Sequence, residues 1–226
     1  FFENACKKMG NQRISVLRAS DFNTTGLRGS KESNISVNPW QSLVKSSGIS
    51  DKAAASGGSY GIGKSAPFAS SEIRTVFYTT FDTEGILATQ GVSRLISFPI
   101  GEDKLTQGIG YYGETEKNSP IFEELNLDTS FKRDGQTGTD VYIIGFWEDP
   151  KWKEELITAI LENFLIAIYS KNLIVKVDDT IISRETLKET IEALKINEKK
   201  KNQTIGDYYK VLLATSENGM TENSFL

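Results

Sequence analysis

The chain contains no histidine and a single cysteine, Cys6. Without an imidazole, acid–base catalysis and metal ligation by histidine are both closed. Any general base must then be a carboxylate, a lysine, a tyrosine or a group from outside the chain. One cysteine excludes an intramolecular disulfide framework, and Cys6 reads as a buried or merely tolerated thiol. No apolar run approaches the ~18 residues that a membrane-spanning helix needs, and no signal peptide precedes the folded sequence. The expectation is a cytoplasmic protein with no membrane partner. An excess of basic charge is also missing: 26 Lys and Arg stand against 30 Asp and Glu, a net charge of −4. A broad nucleic-acid-binding face is therefore not expected, although a local basic patch stays open. The sequence starts at Phe1 without an initiator methionine and is read as a fragment.

What is present suffices for a globular core, with 38% hydrophobic and 10% aromatic residues among 226. That length fits one large domain, or one domain and a smaller appendage. "FFENACKKMG" reads as the end of a helix stopped at Gly10, and "RISVLRAS" as a buried strand that gives way to a loop at Asp21. "NPWQSLVKSSG" predicts a short helix capped by Asn38, with Pro39 at its first position and Gly48 at its end. A helix is expected over 65–71, and "IRTVFYTTF" is β-branched and aromatic, hence a strand. Further strands are expected over 86–98, 107–113 and 138–147. Trp152, Leu156, Ile160, Phe164 and Ile168 recur every four residues, which predicts a long helix buried on more than one side. "LIVKVDDTIIS" predicts a hairpin around Asp178 and Asp179, "RETLKETIEAL" a helix, and 204–214 a last helix beyond a solvated lysine connector, Lys199 to Lys201. The class is α+β, with 1–148 as the main domain and 149–226 as a smaller helix–hairpin–helix extension.

Gly58 to Ser65 satisfies G-x-x-x-x-G-K-[ST], the pattern of a phosphate-binding P-loop. A P-loop needs a buried strand that delivers the glycine turn to a helix N-terminus. The preceding "GISDKAAASG" has no β-branched or apolar run. The only candidate for the partner strand ending in a metal-binding Asp, "LIVKVDD", carries a lysine and falls in the expected hairpin. A P-loop enzyme using Gly58 to Ser65 is the lesser alternative.

Three separated blocks carry a different reading. "SDFNTTGL" (20–27) follows a strand, "GSYGIG" (58–63) enters a helix, and "GTDVYIIGF" (138–146) opens a buried strand with Gly-Thr. In order and spacing they resemble the GHKL ATPase superfamily of gyrase, heat-shock-chaperone and histidine-kinase ATPase domains. The resemblance covers roughly 13–147 and implies the Bergerat fold, an α/β sandwich in which helices cover one face of a mixed sheet. It implies ATP as ligand, held between helices and a lid. Asp21 would accept the adenine amino group, Asn23 stands where the family has a glycine, and Gly26 would let the backbone pass the base. Gly58, Gly61 and Gly63 would let the loop fold over the phosphates, with Tyr60 packed beneath it. Lys64 would reach the phosphates, Ser65 lies at the helix start, and Thr139 would support the adenine pocket. The family's Glu-x-x-x-Asn helix supplies the general base and the Mg²⁺ ligand. Glu3 and Asn4 are adjacent and about 100° apart on a helix, so the genuine pair is expected upstream of Phe1. Mg²⁺ would need that upstream Asn, and no metal ligand is expected within this chain. The competing class is a non-hydrolysing interaction domain on the same fold, and a homodimer or a partner protein is open in either case.

Overall fold

The computed structural model describes residues 1–32, 38–45, 62–147, 149–195 and 200–217. It divides between Trp147 and Glu148 into a first unit, Phe1–Trp147, and a second, Glu148–Leu226.

The first unit opens with α1 (Phe2–Met9), whose last turn closes with the Gly10 N–H donating to the Cys6 carbonyl at 3.0 Å. Cys6 is a free, exposed thiol, so of the two expectations the buried one does not hold. β1 (Val16–Ser20) leads into the loop at Asp21. Asn38 caps the following helical turn as its sequence position requires: its Oδ1 accepts from Gln41 N at 2.8 Å. That turn, Gln41–Lys45, is π-helical. A 3₁₀ turn (Ile62–Ser65) runs into α2 (Ala66–Ala69), then β2 (Ser71–Phe81) and β3 (Leu87–Arg94). A two-residue-wide hairpin of β4 (Pro99–Ile100) and β5 (Lys104–Leu105) precedes β6 (Ile109–Tyr112), and β7 (Gly138–Phe146) is the unit's last strand in chain order. The expected helix over 65–71 is therefore shorter, because Ser71 already pairs with Phe146 as the first residue of β2. The strand expected over 86–98 stops at Arg94, where exposed Leu95 and Ile96 leave the sheet.

The sheet order is β1-β7-β2-β3-β6, and every described pair is antiparallel. The parallel pair implied by a mixed sheet does not occur among the described strands. The turn from β2 to β3 is short, and strands joined by such a hairpin can only run antiparallel. Residues opposite one another in register share a face, so Val76 and Tyr78 line up with Val92 and Gln90 on one side and with Ile143 and Val141 on the other. This face is apolar at its β2–β3 end, where Val76, Tyr78, Ala88 and Val92 pack under Trp40, Val44 and Phe68. The helical pieces that carry Trp40, Val44 and Phe68 thus lie on one side of the sheet. The opposite face carries Phe77, its ring centre 5.4 Å from that of Tyr112 at a tilt of 51°, and Arg18 and Asp140, which bind residues of the irregular segment 121–136.

The second unit holds α3 (Trp152–Tyr169), the hairpin β8 (Val175–Val177) and β9 (Thr180–Ile182), α4 (Leu187–Lys195) and α5 (Lys200–Glu217). The hairpin turns at Asp178 with φ 54°. Its core gathers Leu161, Leu165 and Ile168 with Ile182, Leu187 and Ile191. α3 is buried along this one side, while Leu156 and Phe164 stay 38% and 49% exposed, so the predicted two-sided burial is not found among the described residues of the unit. Lys200 and Lys201 belong to α5 rather than to a connector. No described helix is long and apolar enough to cross a membrane.

Candidate functional site

Asp21 follows the last residue of β1 and continues its pairing with β7: the Asp21 N–H donates to the Thr139 carbonyl at 3.0 Å. The side chain folds back on the same partner, so Oδ1 accepts from the Thr139 N–H and, at 3.3 Å, from the Thr24 hydroxyl. Two of the predicted blocks are thereby joined through backbone and carboxylate. Asp21 itself is exposed, whereas Thr139 is buried at 8%. Oδ2 of Asp21 has no partner among the described residues. By register Thr139 stands opposite Thr80, on the face that the helical pieces cover further along. Ala19, on that same face, is exposed, so the sheet is open next to Asp21.

Asn23 and Gly26 shape the loop that follows. Asn23 has φ 58° and Gly26 φ 64°, left-handed conformations that asparagine and glycine tolerate best. A Cβ at Gly26 would lie 2.8 Å from Thr80 Oγ1 and 2.9 Å from Asp82 Cα. The close approach that this glycine permits is thus to the end of β2. Thr80 Oγ1 ties the arrangement together, accepting from Leu27 N at 2.8 Å and donating to the Gly138 carbonyl at 3.1 Å.

Gly58, Tyr60 and Gly61 lie outside the described residues. Gly63, Lys64 and Ser65 form most of the 3₁₀ turn before α2. A Cβ at Gly63 would meet nothing within 4 Å. Lys64 Nζ donates to the Ser42 carbonyl at 2.8 Å, and its pKa is lowered by burial and then by the neighbouring Arg94. Ser65 Oγ accepts from Arg94 Nη1 at 3.3 Å. The predicted residues therefore fall into two groups on one sheet face, Asp21 with Thr139 at one end and Lys64 with Ser65 towards the other.

Several residues that complete these groups carry no motif. Arg133 forks onto Asp140, with Nε 3.0 Å from Oδ2 and Nη2 2.8 Å from Oδ1, and also donates to the Asp21 carbonyl at 2.8 Å. Both partners are buried, at 10% and 3% side-chain exposure. An acidic residue inside the apolar run "GTDVYIIGF" was the available signal, since a buried carboxylate demands a cation; the sequence does not say which one. Asp82, 1% exposed, caps the β2–β3 turn by accepting from Glu84 N and Ile86 N at 2.9 Å each.

Comparison with known protein families, with curated proteins and with solved structures gives no match. The Mg²⁺ that the sequence resemblance implies would need a cluster of oxygen donors. No group of three His, Cys, Asp or Glu able to hold a metal occurs among the described residues. Glu3 and Asn4 sit side by side and exposed on α1. The residues described do not fit a metal site.

Proposed function

We propose that the first unit binds an adenine nucleotide, ATP in the intact protein, as a GHKL-type domain whose described strands pair antiparallel rather than in the mixed sheet of the Bergerat fold. The observation that carries this reading is the Asp21–Thr139 pair. One carboxylate oxygen is fixed by a backbone N–H at the end of a strand, the other is left as an acceptor, and the group is exposed beside an open stretch of sheet. A fixed acceptor of this kind selects the amino group of adenine over the carbonyl oxygen of guanine. The sheet order supports the same reading, because the strand preceding Asp21 lies directly against the strand that Gly138 and Thr139 open. Helical pieces on one face, and Gly63 in the 3₁₀ turn that runs into α2, agree with it too. The antiparallel pairing of every described strand and the placing of "LIVKVDD" in a separate hairpin weigh against the P-loop alternative.

Bound ATP would supply a phosphoanhydride whose hydrolysis, with a lid closing over it, drives a conformational cycle. The carboxylate and Mg²⁺ ligand for that chemistry are not among the residues described, so the role drawn for this chain is binding. Calorimetric titration of the intact protein with ATP tests the reading. Asp21→Asn presents an amide to the adenine amino group and should weaken binding at least tenfold, with the fold retained. Binding indifferent to Asp21→Asn but abolished by Lys64→Ala would instead identify a P-loop, and absence of any ATP-dependent thermal stabilisation would leave the interaction-domain reading.

A further inference from the structure

A cluster of cations stands on the helix-covered face, away from Asp21. Lys45 ends the π-helical turn, with Nζ 4.2 Å from the centre of the Tyr111 ring and bonded to the Asn118 carbonyl. Arg94 ends β3, with its guanidinium carbon 4.2 Å above the Phe68 ring and Nη1 on Ser65. Lys64 is linked to both, bonded to the Ser42 carbonyl of the Lys45 turn and lowered in pKa first by burial and then by Arg94. Arg94 also acts electrostatically on Tyr78 and Tyr111, whose hydroxyls burial pushes up, that of Tyr78 to about 12. Burial brings Lys45 down to about 8. Among the described residues neither Lys45 nor Arg94 pairs with a carboxylate.

The neutral groups around these cations are donors in need of acceptors. Trp40 Nε1, Ser42 Oγ and Tyr78 Oη are buried and make no hydrogen bond among the described residues. All three can donate, and the indole nitrogen can do nothing else. Gathering like charges with unpaired donors costs stability unless an anion joins them. Phosphate oxygens are acceptors only, and carry charge opposite to that of Lys45 and Arg94.

We propose that Lys45 and Arg94, with Lys64, form a polyphosphate subsite that takes the phosphate chain of the nucleotide whose base Asp21 holds. This rests on the nucleotide reading above and adds to it two residues outside every glycine block. The register supplies the spacing. Thr139 and so Asp21 are level with Thr80, whereas Arg94 follows Ser93, which is level with Thr75. Counting Arg94 itself, six residues at ~3.3 Å each put the two groups ~20 Å apart along the strands. An elongated ligand with a base at one end and charge at the other fits between long Lys and Arg side chains and Asp21. A compact monophosphate would not engage both ends.

The test uses the intact protein with three probes: ATP, adenosine and inorganic tripolyphosphate. Lys45→Gln and Arg94→Gln should each weaken ATP and tripolyphosphate about tenfold, leave adenosine unchanged, and leave the melting temperature close to wild type. Tripolyphosphate should compete with ATP. Arg94→Lys, which keeps the charge, should recover part of the loss even if Arg94→Gln disturbs packing on Phe68. Unchanged ATP and tripolyphosphate affinities in both Gln variants would overturn the subsite, as would tripolyphosphate binding that does not compete with ATP. Failure of the base reading looks different: adenosine would not bind at all, while tripolyphosphate would still bind and still depend on Arg94.

Discussion

At the scale of single residues, the Asp21 site depends on an atom that is missing. Gly138 opens β7 with φ 148°, a conformation that residues with a Cβ rarely adopt. A Cβ there would press against the Asp21 carbonyl and sit 2.6 Å from Asp21 Oδ1 and 2.5 Å from Arg133 Nη1. Gly138→Ala should therefore cost about 2–4 kcal/mol in urea unfolding, from backbone strain and a displaced carboxylate together. The contrast is Gly63→Ala, where a Cβ meets nothing within 4 Å and stability should stay within about 0.5 kcal/mol. Equal losses at the two glycines would mean that crowding at Asp21 is not what fixes Gly138. Both glycines were visible in the sequence, but only the pairing of β1 with β7 separates the one that the fold requires from the one that faces open space. Lys45 and Arg94 illustrate the opposite case. Nothing in their neighbouring residues marks them, because what sets them apart is convergence from a helical turn and a strand that are remote in sequence.

At the scale of elements, the back of the sheet is covered by chain that has almost no regular structure. Segment 121–136 is held there chiefly by charge. Arg18 reaches Asp128 at 2.5 Å and lies 3.6 Å over the Phe131 ring, while Arg133 clasps Asp140 and lies 4.7 Å from the Phe22 ring. Asp128 is held below its ordinary pKa first by the Ser130 hydroxyl, with Arg18 adding to it. The buried Arg133–Asp140 pair is the stronger hold, because loss of one partner strands the other charge away from water. Arg133→Met should destabilise by about 3–5 kcal/mol and, by freeing the Asp21 carbonyl, weaken ATP as well. Adding Asp140→Asn should return part of the stability without restoring ATP affinity. A loss under about 1 kcal/mol for Arg133→Met would show that packing, not the ion pair, retains the segment. This segment is also where the sequence was least legible. Strands such as Ser71–Phe81 and helices such as Leu187–Lys195 announce themselves through the period of their apolar residues. "LNLDTSFKRDGQ" has no period, and its place is set by Arg18 and Asp140 on strands distant in sequence. The small hairpin of β4 and β5 escaped for a related reason, since Ile100 and Leu105 are exposed at 54% and 72% and leave no burial pattern to read.

At the scale of the whole molecule, the two cores share no residue. One is built from Trp40, Val44 and Phe68 over the sheet, the other from α3, α4, α5 and the β8–β9 hairpin. Each unit has its own buried apolar centre, which is the physical condition for independent folding. Leu161, fully buried in the second core, makes the discriminating variant. Leu161→Ala removes several methyl groups and leaves a cavity, a cost of about 2–5 kcal/mol, and that cost should fall on the second unit alone. Trp40, fully buried in the first unit, lets fluorescence follow that transition, with Trp147 and Trp152 replaced by Phe so that it is the only reporter. Hydrogen exchange of α3 amides follows the second. Leu161→Ala should lower the protection of α3 and leave the Trp40 transition in place, while ATP should raise the Trp40 transition and leave α3 protection unchanged. The first result tests the separation of the cores, and the second tests where the nucleotide binds. If Leu161→Ala moves both transitions together, the two cores fold as one cooperative body, and nucleotide binding in the first would then be coupled directly to the stability of the second.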